Sequence, residues 1–160
     1  MTATQNAKDQ LCLALYVRDG VNAHSQDEDR YHWALLAVPS QSNRALRFHA
    51  RDYFTDSDQT HWIYEEIHVS ARGTPKLLSQ TYIGYISDNE RLFGILREAP
   101  IMQEKGWNCE SWIDEAMAMV WEDGVLEAGR LKDLKSLKRD ALVAADAEIL
   151  RREIKSKARL

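Results

Sequence analysis

The sequence predicts an α+β domain in which helices pack against one face of an antiparallel sheet. Three observations point there. Up to residue 86 the chain alternates short apolar and β-branched runs with polar turn-formers. Beyond residue 86 the apolar residues fall at helical spacing behind good capping residues. No internal repeat or low-complexity segment interrupts either half.

Taken in order, residues 1–10 are polar and read as a loose tail. Residues 11–18 form a buried strand that ends at an Asp19-Gly20 turn, and residues 21–30 are a polar loop. Residues 31–38 make a second strand closed by Pro39, and residues 45–51 a third, the two forming a hairpin. Residues 60–69 set Trp62, Tyr64 and Glu66 against Ile63, Glu65 and Ile67, the period of a strand. After the turn Arg72-Gly73-Thr74-Pro75, residues 77–86 complete the strands. Ser87 or Asp88 then caps a helix carrying Leu92, Ile95 and Leu96 on one face and ending before Pro100. A second helix is expected over residues 108–122, stopped by Gly124, and a third from about residue 131. Its stripe is Leu131, Leu134, Leu137, Ala141, Leu142, Ala145 and Ile149. The division expected is a tail (1–10), a main domain (11–130) and a C-terminal helix (131–160) packed on the domain or on a partner.

Composition narrows the function classes. The chain is 160 residues long, 44% hydrophobic and 29% charged, enough for one domain with a real core. A net charge of −4 gives no electrostatic case for nucleic acid. No apolar run approaches a membrane span and residues 1–10 lack a secretory core, so the expected compartment is the cytosol. The basic run Arg151, Arg152, Lys155, Lys157 and Arg159 reads as the wet face of a helix, with contact to anionic lipid or an acidic partner as the lesser reading. The two cysteines, Cys12 and Cys109, are expected to be reduced in such a compartment.

Cys109 sits in Gly106-Trp107-Asn108-Cys109-Glu110-Ser111-Trp112 at the start of the second helix. There the helix dipole favours a thiolate, and backbone N–H groups offer an oxyanion hole. Helical spacing aligns it with Ile113, Ala116 and Val120, facing the sheet. Of five histidines, His32 lies inside an apolar strand and His49 in a like place on the next, where a hairpin would bring the rings together. His24, His61 and His68 look like surface residues, Cys12 like packing, and Asp27-Glu28-Asp29 like a solvated loop. A metal site from His32, His49 and Cys109 would satisfy ligand chemistry but is the minor reading, and no cofactor is expected.

The run Tyr31-His32-Trp33-Ala34-Leu35, then His49 on the next strand, then Asn108-Cys109-Glu110, resembles the lecithin:retinol acyltransferase-like family. That family belongs to the circularly permuted branch of the NlpC-type papain-like superfamily. The likeness covers residues 11–122 but departs at Glu110-Ser111-Trp112, where the family has Glu-His-Phe. It implies a permuted papain-like fold, with Cys109 as nucleophile, His32 as general base and His49 as the orienting residue. The expected reaction is hydrolysis or transfer of an acyl group from a small-molecule or peptide amide, ester or thioester, through a thioester on Cys109. Asn108 and its neighbouring N–H groups would hold the oxyanion, Tyr16 would be a second donor, and Trp33, Trp107 and Trp112 would wall an acyl pocket. The rival expectation is a non-catalytic binding module that uses its C-terminal helix to hold a partner, a second copy of the chain among the candidates.

Overall fold

The computed structural model describes residues 7–18, 30–54, 60–127 and 132–159. Among these residues six strands form one antiparallel sheet: β1 (Gln10–Val17), β2 (Tyr31–Val38), β3 (Arg44–Phe54), β4 (Thr60–Ser70), β5 (Leu77–Ile86) and β6 (Leu126–Glu127). Their order across the sheet is β4-β3-β2-β1-β5-β6. Among the described residues three helices follow β5, with β6 placed between the second and the third: α1 (Asn89–Glu98), α2 (Cys109–Asp123) and α3 (Leu134–Ala158). The expected α+β class is therefore what the chain adopts.

The sheet curls into a half-barrel. Residues 71–76 link β4 to β5 across three intervening strands, about 19 Å if the sheet were flat at ~4.8 Å per step. The link is instead spent on turns, with Gly73 N–H donating to the Ser70 carbonyl and Leu77 N–H to that of Thr74, both at 3.0 Å. Only a curled sheet brings the two ends close enough. Gly73 holds the turn at φ 87°, a conformation that costs glycine least.

Strand alternation divides the sheet into two faces. Leu11, Leu13 and Leu15 of β1, Tyr31, Trp33 and Leu35 of β2, and Phe48 and Ala50 of β3 share one core with α1, α2 and α3. On the inner face of the curl, Cys12, Ala14, Tyr16, Ala34 and Leu36 make a second, smaller cluster, against which Val69 and Leu77 pack. The register is unbroken from Gln10↔Val38 to Val17↔Tyr31, so the assignment of faces holds along all of β1 and β2.

The helices start where their caps allow. Asp88 accepts from Arg91 N–H (3.1 Å) ahead of α1, and α1 ends before Pro100. Asn108 caps α2, whose C-terminus is closed by Gly124 at φ 81°. Asp133 accepts from Ser136 N–H (2.8 Å), so α3 begins at Leu134, later than the stripe implied; Leu131 lies outside the described residues. Leu137, Ala141 and Ala145 of that stripe are buried in the helix-face core, with Leu134, Leu142 and Ile149 packed against it.

The expected loose tail needs correction. Residues 7–10 are not a loose tail: Gln10 opens β1, the Asp9 carboxylate accepts from Asn89 (2.9 Å), and Ser40 Oγ donates to the Ala7 carbonyl (2.7 Å). Lys8 pairs with Glu127 of β6, a strand whose two residues are too few to show a period in sequence. Residues 1–6 lie outside the described residues. Replacing Asn108 by Ala should lower unfolding free energy by about 1 kcal/mol, and Asn108→Asp should recover most of it, measured by chemical denaturation.

Candidate functional site

The hairpin of β2 and β3 pairs Leu35 with Phe48, Leu36 with Arg47 and Ala37 with Leu46. Counting outward, His32 and His49 both lie on the inner face, on the side of Ala34 and Leu36. Their rings meet edge to face at 4.8 Å between centroids, with His32 Nε2 2.5 Å from His49 Nδ1. This is the meeting of imidazoles that the two apolar strands predicted.

Directly across from His49 on β4 stands Glu65, and its carboxylate accepts from His49 Nε2 at 2.9 Å. The sequence reading missed Glu65 as a site residue. Its signal was the alternation of residues 60–69, which puts Glu65 with Ile63 and Ile67, but only the β3–β4 register places it opposite His49. Burial works against its charge, yet the hydrogen bond from His49 and the charges of His49, Arg51 and Arg47 hold its carboxyl below the usual range. His49 is 3% exposed, and that burial lowers its own pKa.

These partners fix the tautomers. An ionised Glu65 only accepts, so His49 Nε2 carries the proton. Neutral His49 then has a lone pair at Nδ1, and His32 must donate to it through Nε2. His32 is left with a lone pair on Nδ1. Burial first, then the charges of His49, Arg47 and Arg18, push its pKa down to about 3, so the ring is neutral at neutral pH. Tyr16 lies opposite His32 on β1 with ring centroids 6.3 Å apart. Burial keeps its phenol protonated, against the pull of Arg47, whose guanidinium lies 5.1 Å over the ring.

Cys109 is elsewhere. It is 1% exposed and belongs to the helix-face core with Trp33, Phe48 and Trp112, and among the described residues no histidine is in that cluster. The expected pairing of Cys109 with His32 is corrected on this ground. The thiol does face the sheet, as its helical spacing predicted, but alternation along β2 aims Trp33 at it and His32 away. The oxyanion role of Asn108 is corrected too. Its Oδ1 accepts from Glu110 N–H (3.0 Å) and Ser111 N–H (3.1 Å), and its own N–H donates to Ser111 Oγ (3.1 Å). This reciprocal cap takes up the Glu110 and Ser111 N–H groups, two of the backbone donors an oxyanion at the start of α2 would use.

The tryptophans expected to wall an acyl pocket are core residues. Trp112 is 0% exposed, with its ring 5.8 Å from Tyr64, and Trp107 meets Trp62 edge-on at 5.8 Å. Trp33 lies beneath Lys138, 5.7 Å from its ring. Cys12, on the inner face, receives a long contact from Gln80 (3.8 Å), and burial raises its thiol pKa to about 11, which makes it packing as expected. His61 stacks on Tyr53 (5.6 Å) and His68 is exposed, whereas His24 and Asp27-Glu28-Asp29 lie outside the described residues. His32, His49 and Cys109 do not converge on one point, and no group of metal-ligating side chains is found among the described residues. Both ring nitrogens of His49 are already used. No helix among the described residues is long and apolar enough to cross a membrane.

The relay has a consequence for pH. Unfolded, His32 takes a proton near its ordinary 6.5, whereas folded it resists down to about 3. Between these values the unfolded chain binds more protons, so stability falls as pH drops through that window. His32→Gln should flatten this limb of a melting temperature-against-pH curve and leave the region above pH 7 unchanged apart from a constant offset.

No curated protein and no solved structure matches the chain. One family model does, over residues 8–147, a span that takes in all six strands, α1, α2 and the first half of α3. Its description is a family of unknown function, so it carries no activity over to the relay on the inner face. The chain belongs to this family, DUF6914.

Proposed function

We propose that the chain is a general-base hydrolase whose chemistry runs on the inner face of the sheet, with His32 as the base. The observation that carries this is the Glu65–His49–His32 relay, bonded at 2.9 and 2.5 Å, ending in a lone pair on His32 Nδ1. Orienting a base through a second group that itself has a fixed partner is the logic of catalytic triads. His32 Nδ1 would take a proton from water as the water oxygen attacks an ester or amide carbonyl, then return it to the leaving group. The positive charge gained by His32 in between is spread toward Glu65 through His49. Tyr16, kept protonated, would donate to the developing oxyanion, the role the sequence assigned it.

Cys109 has no part in this reading, which gives the test its edge. On a panel of activated esters and amides, His32→Gln should lower kcat/KM for a hydrolysed member by about a hundredfold or more. Glu65→Gln should lower it less, and Cys109→Ser should leave it unchanged. A Cys109→Ser variant that loses all turnover while His32→Gln keeps it would return the nucleophile to the helix and end this proposal.

A second reading has an observation of its own. On the side of α3 turned away from the sheet, Val143, Leu150 and Ile154 are 64%, 57% and 61% exposed. With Ala147 they follow the alternating four-three spacing of a coiled-coil seam. The occupant we infer is α3 of a second copy. In a parallel pair Asp146, which within the chain bonds Tyr31 and Arg30, and Arg151, which bonds Glu148, would flank the seam on either side. Light scattering should give twice the chain mass, and Leu150→Glu with Ile154→Glu should give the monomer with its melting temperature kept. A monomeric parent chain rules this pairing out.

A further inference from the structure

The inner face holds more cationic charge than its relay needs. Arg18 directly follows β1, and Arg47 and Arg51 come from β3, around Tyr16, His32, His49 and Glu65. Arg18 has Asp52 as a partner (3.2 Å) and Arg51 has Glu65 (3.4 Å). Arg47 differs. Among the described residues no carboxylate forms an ion pair with it; its guanidinium hydrogen-bonds the Tyr16 hydroxyl, while its Nε is buried with no hydrogen-bond partner. A guanidinium presents a planar fork of donors, and burying one of them unmade is costly unless something else fills it.

The position of Arg47 is set by small neighbours. Ala14 and Ala34 face each other at the centre of the inner face, between β3 and the Tyr16 ring. Larger residues there would block the path, whereas two methyl groups let the Arg47 side chain cross β2 and lie over Tyr16 on β1. The guanidinium thereby stands beside the ring that pairs with His32.

Resting on the general-base reading above, we propose that Arg47 holds an oxyanion of the substrate, a carboxylate or a phosphate, beside His32. The substrate is then an acyl compound that carries its own negative charge at a second position. Such a ligand would complete the guanidinium fork with charge-assisted hydrogen bonds. It would also change the base. The Arg47 charge is one of the influences that hold His32 neutral. A bound anion offsets that charge, so protonation of His32 becomes easier only when substrate is in place. The other groups facing His32 are Tyr16 and Arg18 from β1, His49 and Arg51 from β3, and Glu65 from β4, and none of them moves in this account.

The test is imidazole nitrogen NMR of the full chain, titrated with acetate in one arm and inorganic phosphate in another, at constant ionic strength made up with chloride. One anion should shift the His32 resonances saturably and raise the pH at which His32 titrates, and the arm that does so names the oxyanion. Arg47→Gln should weaken that binding by about tenfold or more, and Arg47→Lys, which keeps the charge without the fork, by less. The lysine variant also guards against a glutamine variant that folds poorly. If neither anion gives a saturable shift beyond chloride, or if both variants bind as the parent does, the inference is overturned. Spectra of the free protein judge the underlying reading separately. A proton found on His32 Nδ1 instead of Nε2 there would sink the general-base assignment, while the expected tautomers with no anion binding would sink only the Arg47 proposal.

Discussion

A β-strand sends successive side chains to opposite faces, and in β2 that rule puts His32 and Trp33 on different sides of the sheet. Most of the molecule's organisation depends on this. Trp33 joins Tyr31 and Leu35 beneath α2 and α3, and Cys109 is buried in the same core. His32 joins Tyr16 and His49 on the inner face. A strand eight residues long, paired without a break to β1, has no bulge that could turn either side chain around. The sheet therefore separates thiol from imidazole, and among the described residues the inner-face cluster contains no helix residue.

The inner face gains its character from curling. A flat sheet with one face covered would leave the other face to water, and a buried histidine pair there would be hard to sustain. With the 71–76 link drawing β4 and β5 together, Val69 and Leu77 close over Cys12, Ala14 and Leu36. The lowered local dielectric keeps both imidazoles neutral and strengthens the hydrogen bonds between them. Glu65 sits toward the outer side of the relay, where its carboxylate stays charged and sets the direction of both donors. Burial at one end and charge at the other give the relay its polarity.

On the helix face the observed contacts are packing, capping and ion pairing. Asn108, Cys109, Trp107 and Trp112, which look in sequence like the surroundings of a nucleophile, are in the fold a cap, a buried thiol and two packed rings. Asn108 spends its side chain on the first turn of α2, Trp112 fills space against Tyr64, and Lys138 ties α3 to Glu110 (3.0 Å) above Trp33. Each of these groups has a structural task.

The sequence alone determined the fold class and the elements long enough to show a period, which leaves out β6. Periods, caps and turn residues are local, so the spans of β2 and β5, the Asp88 and Asn108 caps and the Gly124 stop were legible without coordinates. The facing of His32 and His49 was legible as well, because it needs only a hairpin and its alternation. Tertiary structure alone decided which of the two faces the helices would cover. That choice depends on the summed burial of many side chains from β1, β2 and β3, and no motif of three or four residues carries it. It also decided that Glu65, on a strand brought alongside by the β3–β4 register, completes the relay, and that Arg47 crosses two alanines to reach Tyr16. These are contacts between segments, and cross-strand register and packing set them, where local sequence has no say.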